Sequence, residues 1–307
     1  MRKCGGTLMT LGRIVNVKRF EIHDGDGLRT TLFVKGCPLK CKWCHNPESI
    51  STSSELGYYE HKCIGCGKCV AECPSGAHSI SDDGHKFDRE KCKACGKCES
   101  VSLADALIFY GQRVTPDEIL PKLLADKEFY KNSGGGVTIS GGEPLLQADF
   151  TSEVLKLLKE NEINTAVDTC LFASREQLEK VIPYTDTFLV DVKAIDRDLH
   201  KELTGQFNDI ILDNIRYIDS LGIPMEVRIP FVPNQNAGEI EKIATFLSTI
   251  KSLKGAKVLP YHNLSGTKYN SLDMNYSLSE TDAPIPSKED AENARAVLES
   301  HGVKVLR

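Results

Sequence analysis

Ten of the twelve cysteines in this chain fall into three tight groups, and this clustering constrains the fold more than any other feature. The groups begin at Cys37, Cys63 and Cys92, and only Cys4 and Cys170 lie outside them. A disulfide framework would spread its cysteines along the chain, and stable disulfides are rare in cytosolic proteins. The grouping therefore indicates metal binding.

The first group, Cys37, Cys41 and Cys44, forms a CxxxCxxC motif directly after the strand-like segment RTTLFVKG (29–36). A structural zinc site usually takes four protein ligands, and His45 is too close in sequence to be a comfortable fourth. A [4Fe-4S] cluster is normally held by four thiolates, so three cysteines would leave one iron open to bind a substrate or cofactor. On this motif alone, a zinc knuckle or a chance cluster is the alternative.

The other two groups lie in residues 54–112, a segment rich in Cys, Gly, Lys and Ser that reads as an insert. The segment contains two copies of one unit, and the first has the spacing of bacterial ferredoxins, in which the fourth cysteine binds the other cluster. Two iron–sulfur clusters are therefore predicted, because zinc ribbons seldom repeat this spacing. The predicted ligand sets are Cys63, Cys66 and Cys69 for one cluster, and Cys73, Cys92, Cys95 and Cys98 for the other.

Ser102 stands where the second unit should provide its fourth cysteine, and Leu103 stands where proline is usual. The cluster on Cys63, Cys66 and Cys69 would then take a serine oxygen, Asp105, water or no fourth ligand. The sequence predicts one auxiliary cluster that is altered or incomplete at this position.

Strand-length apolar runs alternate with amphipathic helical segments along the rest of the chain. Thr115, Pro116 and Glu118 predict a capping-box start for a helix over 115–130. Alternating strands and helices imply an α/β fold with a parallel sheet, open or closed into a barrel. The predicted strands are 29–36, 137–140, 164–169, 187–193, 225–232 and 256–262.

Residues suited to catalysis or ligand binding follow these strands at their carboxyl ends. In a parallel barrel these ends share one face. Singly, each of them could be a surface charge, a core-edge histidine or an ordinary turn, but together they predict one site. The segments are SGGEPLLQ (140–147), DT (168–169), DVK (191–193), Arg228 and PYH (260–262).

The composition of the chain argues against two classes of binding partner. The net charge is −5, so nothing favours nucleic acid or a membrane surface as the main partner. The sequence contains no apolar run of about 20 residues and no secretory pattern at its start. A cytoplasmic protein is predicted, divided into 1–53 (first strand and first cysteine loop), the insert 54–112, and the remaining barrel 113–307.

These motifs together resemble the glycyl-radical-enzyme activating enzymes of the radical S-adenosylmethionine (SAM) superfamily, in the type with a ferredoxin-like insert. The resemblance covers nearly the whole chain from Arg13, although Asp26 occupies a position where the family usually has proline. It implies a partial (β/α)6 TIM-like barrel with an inserted ferredoxin-like domain. The matching segments are HDGDGLRT (23–30), the CxxxCxxCHNPE run, SGGEP, DVK, LTG (203–205) and LPYH (259–262).

The resemblance also implies a reaction and its partners. A [4Fe-4S] cluster on Cys37, Cys41 and Cys44 would bind SAM and cleave it reductively, and the 5'-deoxyadenosyl radical would take hydrogen from a backbone glycine of a glycyl radical enzyme. The electron donor would be a flavodoxin or a ferredoxin-type protein. The insert clusters would relay electrons, help dock the partner, or only brace the fold.

By similarity, several groups of residues surround SAM. Gly141, Gly142 and Glu143 would support its methionine end, while Lys193 would hold its carboxylate or ribose. The remaining implied positions are Trp43, His45 and His262 on the nucleoside side, Val192 and Arg228 in the cofactor pocket, and Asp168, Thr169 and Asp191 around a monovalent cation.

Two other functions fit parts of the sequence. One is a radical SAM enzyme that acts on a small molecule or a peptide, but such maturases usually carry their extra cysteines after the barrel. The other is a ferredoxin-like electron carrier, which leaves the large alternating domain and the SGGEP turn without a role.

Overall fold

The computed structural model describes residues 10–306 and the backbone of 3–4 and 7–8. The strands are β1 (Lys3–Cys4), β2 (Thr7–Leu8), β3 (Gly12–Glu21), β4 (Arg29–Val34), β5 (Glu55–Tyr58), β6 (His78–Ser81), β7 (Gly84–Phe87), β8 (Leu107–Tyr110), β9 (Gln112–Val114), β10 (Gly136–Gly141), β11 (Asn164–Thr169), β12 (Thr187–Asp191), β13 (Met225–Phe231) and β14 (Leu253–Pro260). The α-helices are α1 (Lys68–Glu72), α2 (Pro116–Leu124), α3 (Lys127–Ser133), α4 (Ala148–Glu160), α5 (Arg175–Val181), α6 (Arg197–Thr204), α7 (Asp209–Ser220), α8 (Ile240–Leu247), α9 (Gly266–Ser271) and α10 (Lys288–Ser300).

A mostly parallel sheet of eight strands forms the centre of the molecule, in the order β14-β13-β12-β11-β10-β4-β3-β9. The six strands β4 and β10 to β14 run parallel to one another, whereas β3 and β9 are added antiparallel at one edge. The predicted α/β class with a parallel sheet is confirmed. Within the described residues the sheet is open: β9 is the last strand on one side and β14 on the other, where Val305 adds a single parallel bridge to Ala256.

The two faces of this sheet have different surroundings, because successive side chains of a strand point to opposite faces. Val137, Ile139 and Val167 belong to the largest hydrophobic cluster, which also contains the apolar residues of helices α2, α4, α5, α7, α8 and α10. Ser140 and Asp168 alternate with these residues and therefore point to the opposite face. The polar side chains of the predicted site lie on that face.

Residues 54–112, called the insert below, contain two small sheets and a small hydrophobic cluster. Strand β5 pairs with β8 and β6 pairs with β7, both antiparallel. A hydrophobic cluster of Leu56, Cys69, Cys98 and Leu107 lies between these elements. Pairing within the insert ends at Tyr110, and Gln112 already pairs with Ile14 of the main sheet.

The helix predicted over 115–130 is two helices, α2 and α3. Its start is confirmed, because Thr115 accepts a hydrogen bond from the Glu118 backbone N–H (3.2 Å) and the Glu118 carboxylate accepts one from the Thr115 N–H (2.8 Å). The helix breaks before Asp126, whose buried carboxylate pairs with Arg19 and accepts from Thr30 Oγ1 at 3.0 Å. An ion pair to a distant strand therefore overrides the local helical pattern.

Thr115→Ala is expected to lower the free energy of unfolding by about 1 kcal/mol, because it leaves the first turn of α2 without its side-chain acceptor. Urea denaturation of the anaerobically purified protein measures the change. Thr245→Ala is the matched control, since this exposed threonine only donates to the Glu241 carbonyl one turn back. An equal effect of both substitutions would contradict the capping role.

No helix in the described ranges combines the length and the apolar character required to cross a membrane.

Candidate active site

The loop that carries Cys37, Cys41 and Cys44 leaves the carboxyl end of β4 and is held on two sides. On one side, the Cys37 N–H donates to the Ile50 carbonyl at 3.0 Å. On the other side, the N–H groups of Lys40 and Lys42 donate to the carbonyls of Thr204 and Leu203, at 2.8 and 3.0 Å. The carboxyl end of α6 therefore fixes the position of the first cysteine loop, and this gives the LTG segment its structural role.

The three thiols lie in surroundings that favour their neutral form. Burial raises the pKa of each of them, to about 12 for Cys44. In Cys37 the negative charge of a neighbouring Cys41 thiolate raises the pKa further. Thiols of this kind ionise when a metal replaces the proton, so binding to these residues is linked to proton release.

Two lysines that the sequence analysis did not single out hold the segment after Cys44. Lys268 in α9 donates to the His45 carbonyl and to Asn46 Oδ1, both at 3.0 Å, and to Glu48 Oε1 at 2.6 Å. Buried Lys35 donates to the Glu48 carbonyl at 2.7 Å. Both lysines contact residues that are distant in sequence or lie on a different element. These contacts therefore could not be predicted from a local sequence pattern.

His45 and His262 form a stacked pair at the rim. Their ring centroids lie 4.0 Å apart, and His45 Nε2 lies 3.0 Å from the His262 carbonyl. Burial and the neighbouring His262 lower the pKa of His45 to about 4, so its imidazole is neutral near pH 7. Trp43 instead is buried in a small apolar cluster with Leu203 and Tyr261.

The glycines of the SGGEP turn allow β10 to pack tightly against the first cysteine loop. Gly141 has φ +118°, and a Cβ there would lie 2.3 Å from the Val34 nitrogen. A Cβ on Gly142 would lie 2.2 Å from the Gly36 carbonyl oxygen. At both glycines, the β10 turn therefore lies in close contact with the backbone that leads into Cys37.

Gly142→Ala is expected to displace this backbone, because Gly36 and Ser49 present carbonyl oxygens at 2.2 and 2.7 Å from the new methyl group. The overpacking should destabilise the fold by about 2 kcal/mol and reduce the iron retained by the first cysteine group. Gly238→Ala is the control, since nothing lies within 4 Å of its Cβ position. Full iron content and unchanged stability in Gly142→Ala would contradict this packing role.

Glu143 is fully buried, and its carboxylate is occupied by protein donors. Oε1 accepts from Thr169 Oγ1 (2.7 Å) and the Leu145 N–H (2.9 Å), while Oε2 accepts from the Cys170 N–H (2.8 Å) and Sγ (2.9 Å). Burial raises the pKa of Glu143, and these hydrogen bonds counteract that effect. Glu143 therefore joins the end of β10 to the end of β11, with Cys170, which the sequence left unassigned, as its partner.

Arg228 crosses from β13 to β11 on the polar face of the sheet. Its Nη1 lies 3.2 Å from Asp168 Oδ2, and its Nη2 donates to the His23 carbonyl (2.6 Å) and lies 3.6 Å from Asp24. Burial raises the pKa of Asp168 to about 6, and Arg228 counteracts this shift. Arg228 Nε is buried and has no hydrogen-bond partner among residues 10–306.

The DVK segment places a second buried cation on the next strand. Lys193 Nζ pairs with Asp191 Oδ2 at 2.8 Å, and Asp191 is the register partner of Arg228. Burial alone would lower the pKa of Lys193, but the carboxylate of Asp191 and the Cys41 thiolate outweigh burial and raise it. Val192 is buried in the core and donates its N–H to the Arg228 carbonyl at 2.9 Å.

The site therefore combines three thiols on one loop, a glycine turn and two buried cations at neighbouring strand ends. Comparison with known proteins identifies this combination. Residues 31–247 match the family model described as the radical SAM superfamily. The chain is 40% identical over 278 residues to an isethionate sulfite-lyase activating enzyme of Nitratidesulfovibrio vulgaris, covering 88% of this chain and 91% of that protein.

The chain belongs to the glycyl-radical-enzyme activating enzymes of the radical SAM superfamily. A choline trimethylamine-lyase activating enzyme of Oleidesulfovibrio alaskensis is 37% identical over 304 residues, covering 96% of this chain and 97% of that protein. A radical SAM methyltransferase structure from Sphaerobacter thermophilus is 13% identical with a TM-score of 0.53, covering 97% of this chain and 77% of that one, and this likeness concerns the fold alone. Membership of the radical SAM superfamily implies SAM and a [4Fe-4S] cluster as cofactors.

In this activating enzyme, the insert cysteines line two separate cavities. Cys63, Cys66 and Cys69 line one cavity together with Ser102. The other is lined by Cys92, Cys95, Cys98 and the more distant Cys73, which is the crossed arrangement that the ferredoxin spacing predicts.

Two histidines near the first of these cavities could not be identified as site residues from the sequence. His85 in β7 lies beside the thiols of Cys63 and Cys69, and His78 in β6 faces it across the hairpin, Nδ1 to Nε2 3.0 Å apart. Isolated histidines in a short hairpin carry no recognisable spacing. Only the pairing of β6 with β7 brings them to the cysteines.

A cleft of about 890 Å3 is lined by β3, by the segment after Cys44 and by residues between 95 and 112. Asn46 and Glu48, from the segment after the first cysteine group, line one wall of this cleft. Cys95 and Phe109 of the insert line another. Through Cys95, the second cysteine cavity of the insert thus adjoins the same cleft as the segment that follows Cys44.

Proposed function

We propose that this protein activates a partner glycyl radical enzyme by reductive cleavage of SAM and abstraction of hydrogen from a backbone glycine. The observation that carries the proposal is the three-cysteine loop at the carboxyl end of β4, locked against the Gly141–Gly142 turn. When bound there, a [4Fe-4S] cluster and SAM supply the one-electron cleavage that yields the hydrogen-abstracting radical. The protein positions these groups and excludes water.

The chemistry of the donor set fits this cofactor pair. Cys37, Cys41 and Cys44 provide three thiolates and leave one coordination position to a ligand. Lys193 and Arg228 are buried cations on the polar face, and the unpartnered Arg228 Nε is a donor available to a carboxylate. Both support binding of the methionine end of SAM, close to the backbone of Gly141 and Gly142.

We assign the nucleoside side to the stacked pair of His45 and His262, which offers aromatic surface and polar edges. Trp43 contributes there through packing, because it is buried against Tyr261, next to His262. Glu143 acts as a positioning residue, since its hydrogen bonds all join protein elements. A monovalent cation at Asp168, Thr169 and Asp191 is part of the same proposal, and binding it requires the pairs with Arg228 and Lys193 to open.

We further propose that 54–112 is a ferredoxin-like domain with two auxiliary clusters, inserted between 1–53 and 113–307 of a partial (β/α)6 barrel. The two antiparallel pairs β5–β8 and β6–β7, and the two cysteine-lined cavities, support this assignment. An electron donor of the flavodoxin or ferredoxin type would deliver electrons to the insert. The cleft shared by Cys95 and the segment that follows Cys44 supports relay over simple bracing.

Sequence identity does not single out the partner enzyme, because two relatives named for different partner enzymes are 40% and 37% identical to this chain. An experiment with candidate partners identifies it. The reduced, iron-loaded protein is mixed with SAM and each candidate partner under anaerobic conditions. Electron paramagnetic resonance should then show a glycine-centred radical with one partner. A partner whose radical glycine is replaced by alanine is the control.

The same experiment distinguishes the rival function. Efficient SAM cleavage without a glycine-centred signal from any plausible partner would favour a small-molecule or peptide substrate.

A further inference from the structure

The first auxiliary cavity contains three cysteines and a serine at the fourth ligand position. Ser102 Oγ accepts two backbone hydrogen bonds, from the N–H groups of Ala106 (3.0 Å) and Leu107 (3.2 Å). A hydroxyl oxygen has two acceptor lone pairs, so both are in use. Ser102 would have to lose its proton and at least one of these bonds to bind iron.

The hydrogen bond to Ala106 indicates what Ser102 does instead. Cys73 accepts the equivalent bond from the N–H of Ala77, four residues further on, at 3.2 Å. Ser102 therefore keeps the turn geometry of the first repeat while its own oxygen is saturated. Asp105 is not among the described residues that line the cavity.

Among the described residues that line this cavity, His85 is the other side chain of a type that commonly binds metal. Its Nδ1 lies 3.6 Å from Cys63 Sγ and its Nε2 lies 3.5 Å from Cys69 Sγ, so the imidazole contacts two of the three thiols. Its ring also lines the cavity with Cys66. One ligand atom each of His85, Cys69 and His78 lies within 4.8 Å of the other two, a spacing that could also hold a single metal ion.

Two features of its surroundings hold this imidazole at the cavity. Tyr58 packs edge-on against the ring, with centroids 4.6 Å apart. His78 Nδ1 lies 3.0 Å from His85 Nε2 and can accept its N–H. Metal-binding histidines usually donate the N–H of the nitrogen that does not bind the metal to such a partner.

We propose that His85 is the fourth protein ligand of the cluster on Cys63, Cys66 and Cys69, in place of the cysteine missing at position 102. This inference rests on the auxiliary clusters proposed above. Histidine nitrogen replaces cysteine on iron in Rieske centres and raises their reduction potential. The chain would therefore hold one all-cysteine auxiliary cluster and one Cys3His cluster of higher potential.

The test uses the full-length, iron-loaded protein labelled with 15N-histidine and reduced without SAM, so that neither a partner nor catalysis is needed. Pulsed electron paramagnetic resonance should detect a nitrogen bound to an iron–sulfur cluster. His85→Gln should lose this coupling, retain fewer iron atoms, and show the signal of a three-iron cluster after oxidation. His61→Gln, at an exposed histidine of the same insert, should retain the coupling.

Ser102→Cys makes the test independent of the folding of the His85 variant. The new thiol should displace the imidazole, so the nitrogen coupling disappears while the four-iron cluster remains. In the His85→Gln, Ser102→Cys double variant, the three-iron signal should disappear.

A wild-type protein with three clusters but without a strongly coupled histidine nitrogen would overturn the proposal, as would a coupling that persists in His85→Gln. Iron for only two clusters, or zinc bound at Cys69, His78 and His85, would overturn both this inference and the first auxiliary cluster. None of these outcomes depends on whether a glycine radical forms.

Discussion

Cys41→Ala is expected to reduce SAM cleavage to background, since the cluster would lose one of only three protein anchors. The remaining Cys37 and Cys44 cannot hold a cubane with a site left for SAM. The measurement is 5'-deoxyadenosine formed under anaerobic conditions with a chemical reductant, together with iron per chain. We expect about four iron atoms fewer than in the wild type.

Cys170→Ala is the matched control. Cys170 is a buried cysteine close to the site, but its thiol donates to Glu143 and its backbone N–H would still hold that carboxylate. Iron content and cleavage should therefore stay near wild-type values. SAM cleavage retained in Cys41→Ala would contradict the assignment of the first cysteine group.

Arg228→Met is expected to lower the free energy of unfolding by about 3 kcal/mol near pH 8, because it leaves the largely buried Asp168 carboxylate without its cation. The cost should shrink near pH 6. The pKa of Asp168, about 6 in the folded protein, lies above its ordinary value, so ionisation of this group costs stability as the pH rises. Without Arg228 that pKa rises further, and the loss extends to higher pH.

Urea denaturation at the two pH values measures this effect, and Arg228→Lys is the control because it keeps a positive charge at the end of β13. An Arg228→Met variant that is destabilised equally at both pH values would show that packing, and not the charge of Asp168, sets the cost. SAM binding should weaken in both variants, since lysine lacks the Nε donor of the guanidinium.

The strands and the order of the motifs could be predicted because their signals are local. The strand Asn164–Thr169 has the predicted bounds, and the first parallel strand ends at Val34, two residues before the predicted end. Apolar runs of this length between helical segments indicate buried parallel strands. The spacing of the cysteines is a local signal of the same kind, and it divides them into groups directly.

The contacts that complete the site could not be predicted, because they depend on strand register and on loops that meet only in three dimensions. Arg228 reaches Asp168 across β12, and Lys268 holds a segment more than two hundred positions away. Three of the four hydrogen bonds of Glu143 also depend on the end of the next strand, where Thr169 and Cys170 lie. His85 reaches the cysteine cavity only through the β6–β7 hairpin.

The most direct test of the account is the electron paramagnetic resonance spectrum of the reduced protein before and after SAM is added. If Cys37, Cys41 and Cys44 hold a cluster with one iron open to SAM, the signal of that cluster should change on addition of SAM and should be missing in Cys41→Ala. A signal that is unaffected by SAM, or zinc in place of iron at these three cysteines, would contradict the account.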